Sequence, residues 1–156
     1  MDEKKLLKYA VDYLSKYDSS KVNLVNVLKR KILRIKTTNY EKGKLINIIE
    51  SIIIKLEKNK FIDDNRYSST KILSLSNSGK SKNFIFNYLI KKGVSKTQIQ
   101  KNLNLMQQDN DNWELNSAKI FAKKKRILER NESYEKKLAK MARAGFSYDI
   151  CKKILG

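Results

Sequence analysis

The chain contains no histidine, no proline and a single cysteine. Without histidine it lacks the side chain most often used as a general base near neutral pH. A Cys/His zinc site is excluded for the same reason. One cysteine rules out an internal disulfide, and Cys151 falls on the apolar stripe of the last helical segment, where it reads as a small core residue rather than a reactive thiol. The absence of proline leaves helices uninterrupted. The longest apolar run, Ile52-Ile53-Ile54, is far too short to cross a bilayer. Met1-Asp2-Glu3-Lys4-Lys5 carries no signal-peptide apolar segment, so a cytoplasmic location is expected. No nucleophile–base pair or metal set emerges, so neither catalysis nor a cofactor is expected.

Acidic residues are also scarce: 16 Asp and Glu face 35 Lys and Arg, a net charge of +19. A field of that sign attracts phosphate and opposes self-association, which makes nucleic acid the natural partner class and a monomer the expected state. A second reading stays open, because Lys, Asn and Ile are abundant throughout, as an A+T-biased genome would make them. With 156 residues, 40% of them hydrophobic, the chain is long enough to bury a core in one domain or in an array of small repeats.

The stretch from Phe61 to Leu103 parses into three short helices. Asp63 has the position of an N-cap, with Asp64 adding negative charge at the positive end of the dipole. The helix it opens runs until Asn77-Ser78-Gly79. Ser81 caps a second helix carrying Ile85, Tyr88 and Leu89, which stops at Lys91-Lys92-Gly93. Ser95 and Gln98 have capping-box spacing for a third. The pattern recurs at the C-terminus: Leu89 to Ser95 aligns without gaps on Met141 to Ser147, Ile99 on Cys151 and Leu103 on Leu155. A period of about 50 residues is typical of modular helical arrays. Residues 1–58 read as a further, diverged copy whose turn at Lys31-Ile32-Leu33 lacks the glycine. Within it, the 45, 48, 49, 52, 53, 56 spacing favours a helix over a buried strand, and Thr38 with Glu41 is a candidate capping box. Gln107 to Asn112 reads as a linker, after which Asp111 and Glu114 open a long helix reaching Leu128. The expected fold is all-α, with up to nine helices in repeats 1–60, 61–110 and 111–156.

In its motifs the chain resembles the RecX family. The resemblance is carried by Ala10-Val11-Asp12-Tyr13-Leu14, by Phe61-Ile62-Asp63-Asp64-Asn65-Arg66-Tyr67, by the turn Lys92-Gly93-Val94-Ser95, and by Arg143 with Gly145-Phe146-Ser147-Tyr148. These occur in the family's order and cover nearly the whole chain. Departures are the missing glycine near Lys31, a short loop at 77–80, Ala144 between Arg143 and Gly145, and the strongly basic balance. The resemblance implies an elongated, curved array of three tandem three-helix repeats. It also implies a regulator that binds the RecA filament on single-stranded DNA and inhibits its ATP hydrolysis and strand exchange. The alternative is a basic helical nucleic-acid-binding protein that acts without RecA.

Candidate contact residues for RecA or DNA are cationic. Ser78-Gly79-Lys80-Ser81 resembles the end of a phosphate loop but lacks its first glycine and a preceding strand. It reads as a turn in which Lys80 and Lys82 are possible phosphate contacts at a helix start. Lys123-Lys124-Lys125-Arg126 reads as a basic run inside a helix, with one member facing the core side, and joins Lys119 and Arg130 in a ridge. Lys91, Lys92 and Arg143 hold equivalent places in the two clear repeats, either as helix C-caps or as a recurring stripe. Arg66 either pairs with Asp63 or reaches a partner. Asp63 and Asp64 do not converge as metal ligands. Trp113 and Tyr134 are rings for base stacking or core packing.

Overall fold

A computed structural model describes all residues 1–156 and contains only helices. In chain order they are α1 (Glu3–Lys16), α2 (Lys21–Leu33), α3 (Asn39–Asn47), α4 (Ile49–Lys58), α5 (Asp64–Asn77), α6 (Lys82–Lys91), α7 (Lys96–Asp109), α8 (Trp113–Lys124), α9 (Tyr134–Arg143) and α10 (Tyr148–Leu155), with a 3₁₀ turn at Ile127–Glu129. The all-α expectation holds. There are ten helices rather than nine because the segment around Ile48 breaks in two: the Ile48 N–H bonds back three residues to the Leu45 carbonyl at 3.3 Å, tightening the coil there.

Two further expectations need correction. The linker after α7 is shorter than the polar run implied, because Gln107, Gln108 and Asp109 remain helical and only 110–112 connect. Nor does the next helix reach Leu128. It stops at Lys124, and Arg126 adopts a left-handed φ of 53°, which turns the chain so that Ile127 enters the core and Leu128 faces solvent. Apolar periodicity alone did not reveal that reversal.

The chain divides into two compact units, residues 1–67 with 92–94 and residues 68–91 with 95–156. In the first, Leu6 and Ala10 of α1, Leu24, Leu28 and Ile32 of α2, and Ile49, Ile52, Ile53 and Leu56 of α4 form the core, with Ile62 beneath. Each leucine and isoleucine among them contributes roughly 1.5–3 kcal/mol by leaving water. In the second, α8 brings Ala118 and Ala122 against α9 and α10, where Met141, Phe146 and Cys151 are buried. Small residues on α8 permit that close approach. Ile72, Ile85, Leu89, Ile99 and Leu103 are also fully enclosed.

Each unit contains the same polar joint. In the first, Ser20 begins α2: its Oγ accepts the Asn23 N–H at 3.1 Å and donates to the Lys92 carbonyl. The neighbouring Lys21 N–H, an orphan donor of the first helical turn, is taken by the Asp64 carboxylate at 2.8 Å. In the second, Ser81 begins α6, accepts the Phe84 N–H at 3.1 Å and donates to the Ala144 carbonyl at 2.7 Å. There the Lys82 N–H is taken by Glu114 at 2.9 Å. Both accepting carbonyls immediately precede a glycine with positive φ, Gly93 at 82° and Gly145 at 96°. Glu114 therefore serves another helix rather than its own. The start of α8 has no side-chain cap.

Burial pushes the Asp64 carboxyl above the ordinary aspartate range, although the Lys21 N–H opposes that shift. The native state then holds more protons at this group than the unfolded chain does. The contribution of Asp64 to stability is largest at low pH and declines as pH rises from the unfolded value, near 3.8, through the raised folded one. Asp64→Asn keeps an oxygen for the Lys21 N–H and removes the titration. Urea unfolding at about pH 3 and about pH 7 is expected to show the variant gaining on the parent as pH rises, and a pH-independent difference contradicts this. Asp64→Ala, which strands the N–H, is expected to cost about 1–3 kcal/mol.

The glycines give a second test, with opposite signs in one assay. A Cβ at Gly93 would overlap Val22, and one at Gly145 would overlap the Ser81 hydroxyl, each at a left-handed φ. Gly43, inside α3, has nothing within 4 Å of that position. Gly93→Ala and Gly145→Ala are expected to lower stability by about 1–3 kcal/mol, and Gly43→Ala to raise it by about 0.4–1 kcal/mol. Equal effects on the urea midpoint at all three sites would refute the joint geometry.

Candidate partner-binding surface

The cationic candidates divide into those used inside the fold and those left open. Arg66 forms no ion pair with Asp63. Asp63 instead accepts the Arg66 backbone N–H at 3.1 Å, and the guanidinium reaches the carbonyls of Lys60 and Phe61 at 3.3 and 3.5 Å. It thereby braces the turn where Lys60 adopts a φ of 61°. Lys92 is half-buried and lends its carbonyl to Ser20. Lys124 donates to the Ser78 carbonyl at 3.0 Å and closes the end of α5.

The helix end at the α6 start is filled from within the fold. Gly79, at φ 89°, is buried against the backbone of Phe121, and the Lys80 carbonyl accepts the Ser117 hydroxyl. The first-turn donor of α6 is already occupied by the Glu114 carboxylate. An anion at that helix end would face a fixed negative charge. The Lys80 ammonium lies instead 4.7 Å from the centroid of the Phe84 ring, a cation–π contact.

The basic run at 123–126 is corrected. It forms the end of α8 and the turn beyond it, and all four side chains are exposed, so none faces the core. Arg126 pairs with Glu129 at 3.2 Å. Lys119, Lys123 and Arg126 border a cleft of about 320 Å³ together with Lys153. Trp113 is buried, which removes it as a stacking platform, while Tyr134 is 41% exposed.

Two other clefts of the second unit meet at Arg143. One, of about 290 Å³, is lined by Phe84, Asn87, Tyr88, Lys91 and Arg143. The other, of about 360 Å³, is lined by Phe121, Lys125, Arg130, Lys140 and Arg143. Lys140 is engaged by Glu132 at 2.7 Å, and that bond holds the Glu132 carboxyl below the usual glutamate range. Neither cleft is lined by a carboxylate. Lys91 and Arg143, equivalent in the sequence repeat, thus share one cleft. Sequence reasoning missed Phe84, Asn87, Lys140 and Lys153. For the first two no sequence signal was available, because Phe84 adjoins Ile85 in an apolar-rich helix and Asn87 is one polar residue within it. Chemically, cations beside partly exposed rings suit binding of polyanions. Cys151 contributes nothing reactive, since burial raises its thiol above the usual range.

No family model matches the chain. It is 34% identical over 154 residues to the regulatory protein RecX of Myxococcus xanthus (strain DK1622), covering 94% of this chain and 81% of that protein. The chain belongs to the RecX family. The crystal structure of RecX from Lactobacillus salivarius superimposes with a TM-score of 0.71 at 25% identity, over 97% of this chain and 93% of the other. A second crystal structure, of a regulatory protein RecX, has the same fold, with a TM-score of 0.70 at 24% identity over 95% and 68%. No helix here is long and apolar enough to cross a membrane.

The residues by which the sequence resembles RecX are largely those that build the joints. Ile62 is core, Asp63 caps α5, Asp64 caps α2, and Gly93 and Gly145 make the left-handed turns. Ser95 and Ser147 cap the helices that follow. The RecX motifs in this chain are therefore architectural, and its free cations lie outside them except for Arg143.

Proposed function

We propose that this RecX-family chain binds the RecA filament on single-stranded DNA as a monomer. There it inhibits ATP hydrolysis, and with it the recombinase and coprotease activities used in DNA repair and the SOS response. Membership of a family of regulatory proteins, over nearly the whole chain, carries the reading. The three repeats, 1–60, 61–110 and 111–156, are inferred to be chained by the two equivalent joints. A ligand that contacts neighbouring protomers and prefers one relative orientation of them suppresses cycling in proportion to that differential affinity. The net charge of +19 supports additional contact with the DNA backbone.

The test is RecA ATPase on single-stranded DNA, titrated with this protein at physiological salt and repeated with excess DNA. Inhibition at less than one protein per RecA that survives the added DNA is the expected outcome. Inhibition abolished by the added DNA would mean sequestration of the nucleic acid, and no inhibition at all would overturn the proposal.

A further inference from the structure

We propose that the cleft between α6 and the α9–α10 turn is a stacking subsite for single-stranded nucleic acid, with a base on Phe84 and phosphates on Lys91 and Arg143. This goes beyond the RecA reading, because the subsite needs no other protein. Four observations carry it. Phe84 is a large apolar side chain left 39% exposed although Ile85 beside it is fully buried, so its ring is not spent on the core. Tyr88 lies one turn on, with ring centroids 6.4 Å apart and planes at 22°, so the two rings form a ladder along the helix. Lys91 and Arg143 come from helix ends 52 positions apart in sequence, line the same cleft, and have no carboxylate partner. Asn87, on the same wall, is exposed and offers an amide to a base edge.

The alternatives are weaker on the same terms. The cleft at the end of α8 has cations but no ring, and its Arg126 is already paired with Glu129. The apolar cleft beside Leu7 and Val11 on α1 has nothing to identify an occupant. At Phe84 both halves of a nucleotide find their chemistry, the ring for the base and the cations for the phosphate. Arg143 also borders the second cleft, where Lys125 and Arg130 carry the positive lining onward. A strand leaving the subsite would meet that lining next. Lys80, now over the Phe84 ring, is the side chain that moves: a stacking base displaces it toward the phosphate.

The subsite takes an unpaired base, so the probes are oligodeoxythymidylate, oligouridylate, an abasic oligonucleotide of equal length and a duplex, each with the protein alone. The parent is expected to bind the thymidylate about tenfold or more tighter than the abasic strand, since stacking adds to the electrostatic attraction. Phe84→Ala is expected to remove that preference and leave the salt dependence intact. Lys91→Gln and Arg143→Gln are expected to weaken both strands and each to reduce the log–log salt slope by about 0.7. Phe84→Trp is expected to retain the preference, and circular dichroism checks that each variant is folded. Equal uridylate and thymidylate binding assigns the site to either nucleic acid. Equal affinity for thymidylate and abasic strand, full competition by the duplex, a silent Phe84→Ala, or no binding of any strand overturns the proposal. RecA inhibition is read in a separate assay, so either idea can fail alone.

Discussion

A helix-start serine hydroxyl bonded to the carbonyl before a left-handed glycine is the contact on which both units depend. A helix beginning leaves backbone donors unpaired, and a helix ending leaves acceptors unpaired. Here the two deficits answer each other across elements distant in sequence, 20 with 92 and 81 with 144. A carboxylate from a third helix, Asp64 or Glu114, takes the remaining N–H. The glycines follow from this: a side chain at either one would sit where Val22 or Ser81 must lie. Short helices of eight to fourteen residues would be marginal alone. The joints let them share polar termini as well as apolar faces.

The same arrangement decides which charges are left for a partner. Asp64 and Glu114 lie at helix starts inside the units, and Lys124 closes a helix end. Lys91, Arg143, Lys125 and Arg130 border the clefts. Lys91 and Arg143 thus stand beside Phe84 and Tyr88, away from the helix starts. The α6 start, which from sequence looked suited to phosphate, already holds a carboxylate.

Much of the fold was legible in the chain. Thr38, Ser81 and Ser95 cap as their spacing implies, and the apolar stripes at Ile85 and Leu89 or Ile99 and Leu103 are buried. Less legible was anything set by a neighbouring element. Glu114 has the look of a first-turn acid on its own helix, yet its acceptor is used 32 positions away. Arg126 reads as one more helical cation, and only its left-handed φ shows that α8 has ended. Of the proposed binding surface, the cations were visible, and the pairing of Lys91 with Arg143 was foreshadowed by the repeat. The ring beside them was not, because Phe84 in an apolar-rich helix is indistinguishable from core until its exposure is known. Local periodicity records how a residue meets its own helix and says little about tertiary partners.

The chain contains its own control for the joint. Lys21, Lys82 and Lys96 each follow a serine N-cap and occupy the first position of α2, α6 and α7. Their intrinsic amide exchange rates should therefore be close. Lys21 and Lys82 donate to Asp64 and Glu114, whereas Lys96 is exposed at a helix start outside the joints. Residue-resolved amide hydrogen exchange under native conditions compares them directly. Slow exchange at Lys21 and Lys82, approaching that of the core helices, with fast exchange at Lys96, is the predicted result. Three equally fast amides would mean that the joints do not hold, and the account built on them would fail.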